Sequence, residues 1–99
     1  MTCSLLAAFL LSVAQVESGA NHVSVHSTQM SRAARHDHGT PQAHLAWIQR
    51  ELVKAGIDPS PFNSALVWRC GLSTVLEGRV PVYGYLYALR VEALTKAKP

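Results

Sequence analysis

Apolar residues are distributed unevenly along the 99-residue chain. Residues 5–16 are almost continuously apolar, whereas residues 21–40 are rich in Ser, Thr, Asn, His and Gly and show no sustained period. From residue 41 onward, apolar residues return at spacings of three and four, which is typical of helices with one buried face. No segment alternates apolar and polar residues for long enough to predict a strand. The pattern predicts a small all-α domain of about four to five short helices, with residues 41–95 as its helical remainder.

Cap and proline signals bound two of the predicted helices. A Thr-Pro pair at residues 40–41 predicts a helix start, and Gly56 predicts its end. The apolar face of this helix is predicted to carry Leu45, Ile48, Leu52 and Ala55. A Ser-Pro pair at residues 60–61 predicts the start of the next helix, which ends at Gly71.

The rest of the chain is predicted as shorter helical pieces and loops. A short helix over residues 72–76 stops at Gly78, and Pro81 keeps the residue before it extended. The last helix is predicted over about residues 85–95, followed by a frayed tail at residues 96–99. Residues 21–40 are predicted as a loop with at most one helical turn near residues 30–35.

The apolar segment at residues 5–14 admits two interpretations. It resembles a secretory leader with Ser12-Val13-Ala14 as a small-x-small cleavage site, although residues 1–4 carry no Lys or Arg. It is also shorter than the roughly 20 residues that span a bilayer, which argues against a transmembrane anchor. Alternatively, Ser4 caps a buried helix of strong helix formers over residues 5–18, which Gly19 ends.

Glu17 is the candidate acid of this segment. On the helical interpretation its carboxylate lies at the C-terminal end of the helix, where the helix dipole favours the neutral form and is expected to raise the pKa. A carboxylic acid held neutral in this way suits general acid catalysis. If residues 1–14 were a leader, Glu17 would instead be a solvated surface residue of the mature chain.

Composition fits one folded domain spanning residues 1–99. Hydrophobic residues make up 48% of the chain and charged residues 15%, which is too apolar for a disordered chain. The net charge of +3 arises from basic residues that form no run, so nucleic-acid binding is not expected. Cys3 and Cys70 lack the C-x-x-C spacing of zinc and redox sites and are predicted to be inert thiols or a single bridge.

Histidines and aromatic residues offer two further candidate sites. The spacing of His36 and His38 points their rings apart on a helix, so a solvated loop is expected here rather than a metal site, and no cofactor is expected. Aromatic rings could line a sugar-binding groove, since their faces stack on sugar rings. Their helical spacing nevertheless predicts that most of them belong to the core: Trp47, Trp68, Tyr83, Tyr85 and Tyr87.

Three sequence blocks follow one another in a recognisable order. The first is AQVESGAN at residues 14–21, the second is ALVWRCG at residues 65–71, and the third is VP at residues 80–81 followed by YALRV at residues 87–91. Together they resemble the lysozyme-like soluble lytic transglycosylases. In that family an apolar helix ends in Glu-Ser, a later helix carries an Ala-Tyr-Asn-Ala-Gly type segment, and a proline precedes a helix with Tyr-x-x-Arg/Lys-Val.

The resemblance implies a lysozyme-like fold and cleavage of the glycosidic bond between the amino sugars of peptidoglycan. Glu17 would protonate the leaving oxygen and then take the proton of the sugar's own primary hydroxyl, which closes an anhydro ring without a second carboxylate. Ser18, Gln29, Arg69 and Tyr87 match positions that bind substrate or support the site. Peptidoglycan strands are the implied partner, with no metal, and the periplasm or cell envelope is the implied location.

The chain departs from the family pattern at two positions. Gln29 is the only candidate for the glutamine of the family's Gly-x-x-Gln segment, and the glycine is missing. Arg69 stands where the family has asparagine, and a cation near the acid would favour the charged carboxylate. Two alternatives to an enzyme therefore stay open: a catalytically degenerate relative that binds glycan or a protein partner, and a small secreted helical protein with residues 1–14 as leader.

Overall fold

The chain was analysed as a computed structural model that describes residues 3–18 and 31–97, with the side chains of residues 7–17 and 31–97. Within these ranges there is no strand, and the helices are α1 (Cys3–Ser18), α2 (Arg32–His38), α3 (Pro41–Lys54), α4 (Pro61–Cys70), α5 (Leu72–Leu76) and α6 (Val82–Ala97). The predicted all-α class is confirmed. The described residues contain one or two more helices than predicted, because the polar segment before residue 40 also forms one.

The first helix is the apolar N-terminal segment, and its side chains belong to the core. It begins at Cys3, so Ser4 lies inside the helix and is not the predicted N-cap. Phe9, Leu10 and Val13 are fully buried. None of the described helices is both long and apolar enough to cross a membrane.

The second helix corrects the prediction that residues 21–40 are a loop. Ser31 caps α2, since its Oγ accepts a hydrogen bond from the backbone N–H of Ala34 at 3.1 Å. Gly39 ends the helix with a φ of 81°, and its N–H donates to the carbonyl of Arg35. These two caps stabilise a helix too short to show a hydrophobic period. The rest of the predicted loop, residues 19–30, lies outside the described residues.

The third and fourth helices begin as the sequence predicts. The Oγ1 of Thr40 and the Oγ of Ser60 each accept a hydrogen bond from a backbone N–H three residues later, both at 3.1 Å. Leu45, Ile48 and Leu52 are fully buried on α3. Ala55, which was predicted on the same apolar face, is exposed because α3 ends at Lys54 and Ala55 serves as its C-cap.

The last helix is longer at both ends than predicted. It begins at Val82, directly after Pro81, whose fixed φ suits a helix start and whose carbonyl accepts a hydrogen bond from the N–H of Gly84. It continues through Ala97, so residues 96–97 are helical and not frayed. Lys96 lies one turn after Glu92 and pairs with its carboxylate at 3.8 Å. Residues 98–99 lie outside the described residues.

The core lies between α1, α3, α4 and α6. The sixth helix packs mainly against α4 and α1, and α3 packs against α4. The main buried cluster consists of Phe9, Leu10, Val13, Leu45, Ala65, Leu66, Tyr87, Ala88 and Val91. A second cluster of Ile48, Leu52 and Val67 joins α3 to α4. This packing brings the C-terminal end of α1 beside the middle of α6.

Candidate functional site

A cleft of about 560 Å³ opens where the ends of α1 and α4 meet the start of α3 and the middle of α6. It is lined by Val16, Glu17, Ser31, His44, Trp68, Arg69 and Tyr87. Three of the five residues predicted to form the site therefore line the same cleft, namely Glu17, Arg69 and Tyr87. They come from three different helices.

Glu17 and Tyr87 are in direct contact although they lie 70 residues apart in the sequence. The phenol O–H of Tyr87 donates to Oε1 of Glu17 at 3.2 Å. Tyr87 is 9% exposed, whereas Glu17 is exposed. The carboxylate is thus held at the mouth of the cleft by a hydroxyl that is itself fixed in the core.

The environment of Tyr87 keeps its hydroxyl protonated. Burial raises the pKa of Tyr87, and the neighbouring Glu17 carboxylate raises it further because two adjacent negative charges would repel. Arg69 opposes this shift but does not reverse it. Tyr87 is therefore protonated near neutral pH and can donate its hydrogen bond to Glu17 there.

Arg69 adds a positive charge to the cleft. It is the last residue but one of α4 and is exposed. Its guanidinium carbon lies 5.0 Å from the centroid of the Tyr83 ring, which is the range of a cation–π contact. Within the described residues Arg69 forms no ion pair. Its charge is therefore available to a ligand in the cleft.

The two other predicted site residues are not described. Ser18 is the last residue of α1, but its side chain lies outside the described part of the structure. Gln29 lies within residues 19–30 and is also outside it. Their roles stay predictions.

The sequence analysis did not single out His44, which lines the cleft. It lies in the first turn of α3, and its Nδ1 is buried with no hydrogen-bond partner among the described residues. Burial, with a smaller effect of His38, lowers the pKa of His44 to about 4. The imidazole is therefore neutral near pH 7. The available sequence signal was its place three residues before Trp47, on the same face of a capped helix.

Stacked rings extend the wall of the cleft beyond His44. The centroid of the His44 ring lies 4.9 Å from that of the His38 ring and 4.8 Å from that of the Trp68 ring. The ring of Trp47 also lies against that of His38, with the two centroids 4.8 Å apart and the rings tilted. A second chamber of about 370 Å³ runs along these rings and shares His44, Trp68 and Arg69 with the first. The two chambers form one groove with an aromatic wall.

The prediction that most of these aromatic residues belong to the core holds for three of the five. Tyr87 is buried, and Trp47 and Trp68 are half-buried against the core clusters. Tyr83 and Tyr85 are 54% and 43% exposed, so they are not core residues. Both lie on the outer side of α6, because the inner side is occupied by Gly84 and Tyr87.

The remaining candidate chemistry does not converge on a second site. In residues 7–17 and 31–97, no three side chains of the types that bind metals come together. His36 pairs with Asp37 at 3.2 Å on the surface. The Cys70 thiol is free, and burial raises its pKa, which makes it a poor nucleophile. Glu17 is the only carboxylate among the described residues that line the first chamber.

Comparison with known proteins identifies no relative of this chain. No protein-family model matches the sequence, and no significantly similar curated protein or solved structure was found. The resemblance to lytic transglycosylases therefore stays a prediction that rests on the three sequence blocks and on the residues of the cleft.

Proposed function

We propose that this protein cleaves the glycan strands of peptidoglycan in the manner of a lytic transglycosylase, with Glu17 as its acid. The observation that carries the proposal is the contact between Glu17 and Tyr87. Both residues were expected at the site from short, separate sequence blocks. In the fold the hydroxyl oxygen of Tyr87 lies 3.2 Å from Oε1 of Glu17, at the mouth of a cleft.

The proposed reaction needs one carboxyl group. The proton of Glu17 passes to the glycosidic oxygen as the bond from this oxygen to the anomeric carbon breaks. The primary hydroxyl of the same sugar attacks that carbon and gives its proton to the Glu17 carboxylate, which restores the acid and closes the anhydro ring. Tyr87 would stabilise the carboxylate between the two proton transfers by donating a hydrogen bond to Oε1.

The wall of the cleft fits a saccharide. The ring of Trp68 offers an apolar face on which a sugar ring can stack. The neutral imidazole of His44 can accept or donate one hydrogen bond to a hydroxyl, which a charged imidazolium could do only as a donor. Arg69 would bind a carboxylate or carbonyl of the lactyl or peptide substituent that peptidoglycan sugars carry.

Turnover of purified peptidoglycan tests the proposal. The full chain, Glu17→Gln and the matched control Glu51→Gln are compared, and the soluble products are identified by mass spectrometry. Anhydro-sugar ends are expected from the full chain and from Glu51→Gln, which changes a carboxylate on α3 that pairs with Lys54. Glu17→Gln should release none while keeping its helical circular dichroism. An inactive full chain, or an active Glu17→Gln variant, would contradict the proposal.

A second candidate function is glycan binding without cleavage. The observation that favours it is Arg69 in the same cleft as Glu17, since a cation there favours the charged carboxylate, which has no proton to give to the glycosidic oxygen. On this hypothesis the full chain co-sediments with insoluble peptidoglycan but releases nothing. Arg69→Asn, which restores the residue type of the family, distinguishes the two functions: it should yield measurable turnover if only the cation suppresses the acid.

A further inference from the structure

The outer face of α6 is apolar and uncovered. Among the described residues, seven large hydrophobic side chains are exposed, and five of them lie in the first half of this helix. Their exposed fractions range from 43% to 74%: Val82, Tyr83, Tyr85, Leu86 and Leu89. Scattered single residues of this kind are ordinary on protein surfaces, but a contiguous patch on one helix marks an interaction surface.

The patch follows a regular line along the helix. Spacings of four, three and four keep residues on one side of a helix, and this outer stripe consists of Val82, Leu86, Leu89 and Ala93. The opposite side of α6 is buried against α4 and α1. A helix that is apolar on both sides is expected to be covered on both sides. Within residues 3–18 and 31–97, α1 and α4 cover one side of α6, and the residues of the outer stripe are exposed.

Positive charge borders the outer stripe. Arg90 lies beside it on α6, and Arg69 stacks over the ring of Tyr83 at 5.0 Å. A groove of about 610 Å³ along this edge is lined in part by Arg69, Tyr83, Leu86, Leu89 and Arg90. Within the described residues neither arginine forms an ion pair, whereas Glu77 pairs with Arg79 and Glu92 pairs with Lys96. The unpaired charge beside the patch is therefore positive.

We propose that the outer face of α6 binds the surface of an anionic lipid bilayer. Val82, Leu86 and Leu89 would insert between the acyl chains just below the headgroups, with α6 lying parallel to the surface. Tyrosine rings prefer the headgroup level, where Tyr83 and Tyr85 would lie. Arginines at that level attract the phosphates of anionic lipids. In this orientation the apolar side chains lie among the acyl chains, and the tyrosines and arginines lie among the headgroups.

A second copy of the chain fits this surface less well. The stripe covers about three turns and ends at Ala93 and Lys96, whereas a standard interface buries about 800 Å² on each partner. Two copies would also bring together two chains of net charge +3, and Glu92, the acidic residue of α6, already pairs with Lys96. Binding to a bilayer scales with the apolar area that inserts and adds electrostatic attraction to anionic lipids, so a short stripe bordered by arginines suits it.

Co-sedimentation with lipid vesicles tests the inference. The full chain is mixed with vesicles of phosphatidylcholine alone and of phosphatidylcholine with one third phosphatidylglycerol. We expect binding to the anionic vesicles that weakens with added salt. The double variant Leu86→Gln/Leu89→Gln should bind at least about tenfold more weakly, because two apolar side chains no longer insert. Arg90→Gln should weaken binding about fivefold.

Val53→Gln is the matched control, because Val53 is 61% exposed but lies on α3. It should bind vesicles as the unchanged chain does. Circular dichroism establishes that all variants keep their helices, which is expected since every changed side chain is exposed. The inference is overturned if the unchanged chain does not bind anionic vesicles or if the double variant binds equally well. It is also overturned if sedimentation analysis shows a dimer that only the double variant dissociates, since a second copy would then cover the stripe.

Discussion

At the scale of single residues, the site depends on how burial changes the chemistry of ordinary side chains. Burial next to a carboxylate raises the pKa of Tyr87, which keeps its hydroxyl protonated near neutral pH. The pKa of His44 shifts in the opposite direction, since burial lowers it and so favours the neutral imidazole. Both effects follow from the cost of a charge in a medium of low polarity.

If the protein has the proposed peptidoglycan-cleaving activity, removing the hydroxyl of Tyr87 should impair turnover more than binding of the glycan. We expect Tyr87→Phe to lower kcat for peptidoglycan about tenfold with KM nearly unchanged, because one hydrogen bond to a charged group is lost in the transition state. Steady-state turnover measures this effect. Tyr85→Phe is the control, since Tyr85 is exposed and away from the cleft. Equal losses in both variants would argue against a role for the contact with Glu17.

The shifted pKa of His44 predicts a specific pH dependence of stability. In the unfolded chain the imidazole has its ordinary pKa of 6.5, whereas in the fold it has a pKa of about 4. Below pH 6.5 the unfolded state binds a proton that the folded state does not bind. The contribution of His44 is thus fully present above pH 6.5, decreases as the pH falls, and levels off below about pH 4.

Urea unfolding at pH 7.5 and pH 4.5 measures this contribution. Between pH 7.5 and pH 4.5, the free energy of unfolding of the unchanged chain should fall by up to about 2 kcal/mol more than that of His44→Gln. This figure is smaller than the full pKa shift would give, because the ring of His44 is partly exposed to solvent. His36→Gln is the control, because the His36 side chain is 88% exposed. If His44→Gln shows the same loss of stability as the control, His44 is not the group that titrates.

At the scale of elements, close approach between α4 and α6 explains a glycine within a helix. An ideal Cβ at Gly84 would lie 2.7 Å from Sγ of Cys70 and 2.9 Å from Cγ1 of Val80. Gly84 is fully helical, and at such a position alanine would normally be more stable by about 1 kcal/mol. Packing between the two helices, and not backbone conformation, thus requires glycine here.

Gly84→Ala should consequently destabilise the protein, against the trend of helix propensity. We expect a loss of about 1–3 kcal/mol in thermal or urea unfolding, which is typical of overpacking. Cys70→Ala in the same chain should restore part of this loss by removing the sulfur that the new methyl group meets. A stabilised Gly84→Ala variant would show that α6 is free to move away from α4.

At the scale of the whole molecule, α1 is part of the domain and not an appendage to it. Its residues Phe9, Leu10 and Val13 belong to the main core cluster together with residues of α3, α4 and α6. Burial of three such side chains contributes about 5–8 kcal/mol. This is comparable with the entire stability of a typical small domain.

A chain that begins at Gln15 should therefore fail to fold. We expect it to lose most of its helical circular dichroism and its cooperative thermal unfolding. Val13→Asp should have a similar effect in the full chain, whereas Ala7→Asp should be tolerated because Ala7 is exposed. A shortened chain that stays helical and unfolds cooperatively would instead favour the interpretation of residues 1–14 as a leader.

Local signals in the sequence were enough to predict much of the fold. Thr40-Pro41 and Ser60-Pro61 mark helix starts through bonds that span three residues, so they need no information from distant parts of the chain. The main errors concern α2 and α6. The start of α6 was predicted three residues late although Pro81 is a local start signal, and at most one turn of α2 was predicted because two caps on a polar segment leave no hydrophobic period.

The sequence by itself determined the all-α class, the bounds of α3 to α5 and the candidate roles of Glu17 and Tyr87. Only the tertiary structure decided that these two residues touch, that His44 loses its charge and that the outer face of α6 stays uncovered. The physical reason is the distance along the chain over which each interaction acts. Helix caps and periods act over a few residues, whereas burial and contact depend on the side chains that other helices bring to the same place.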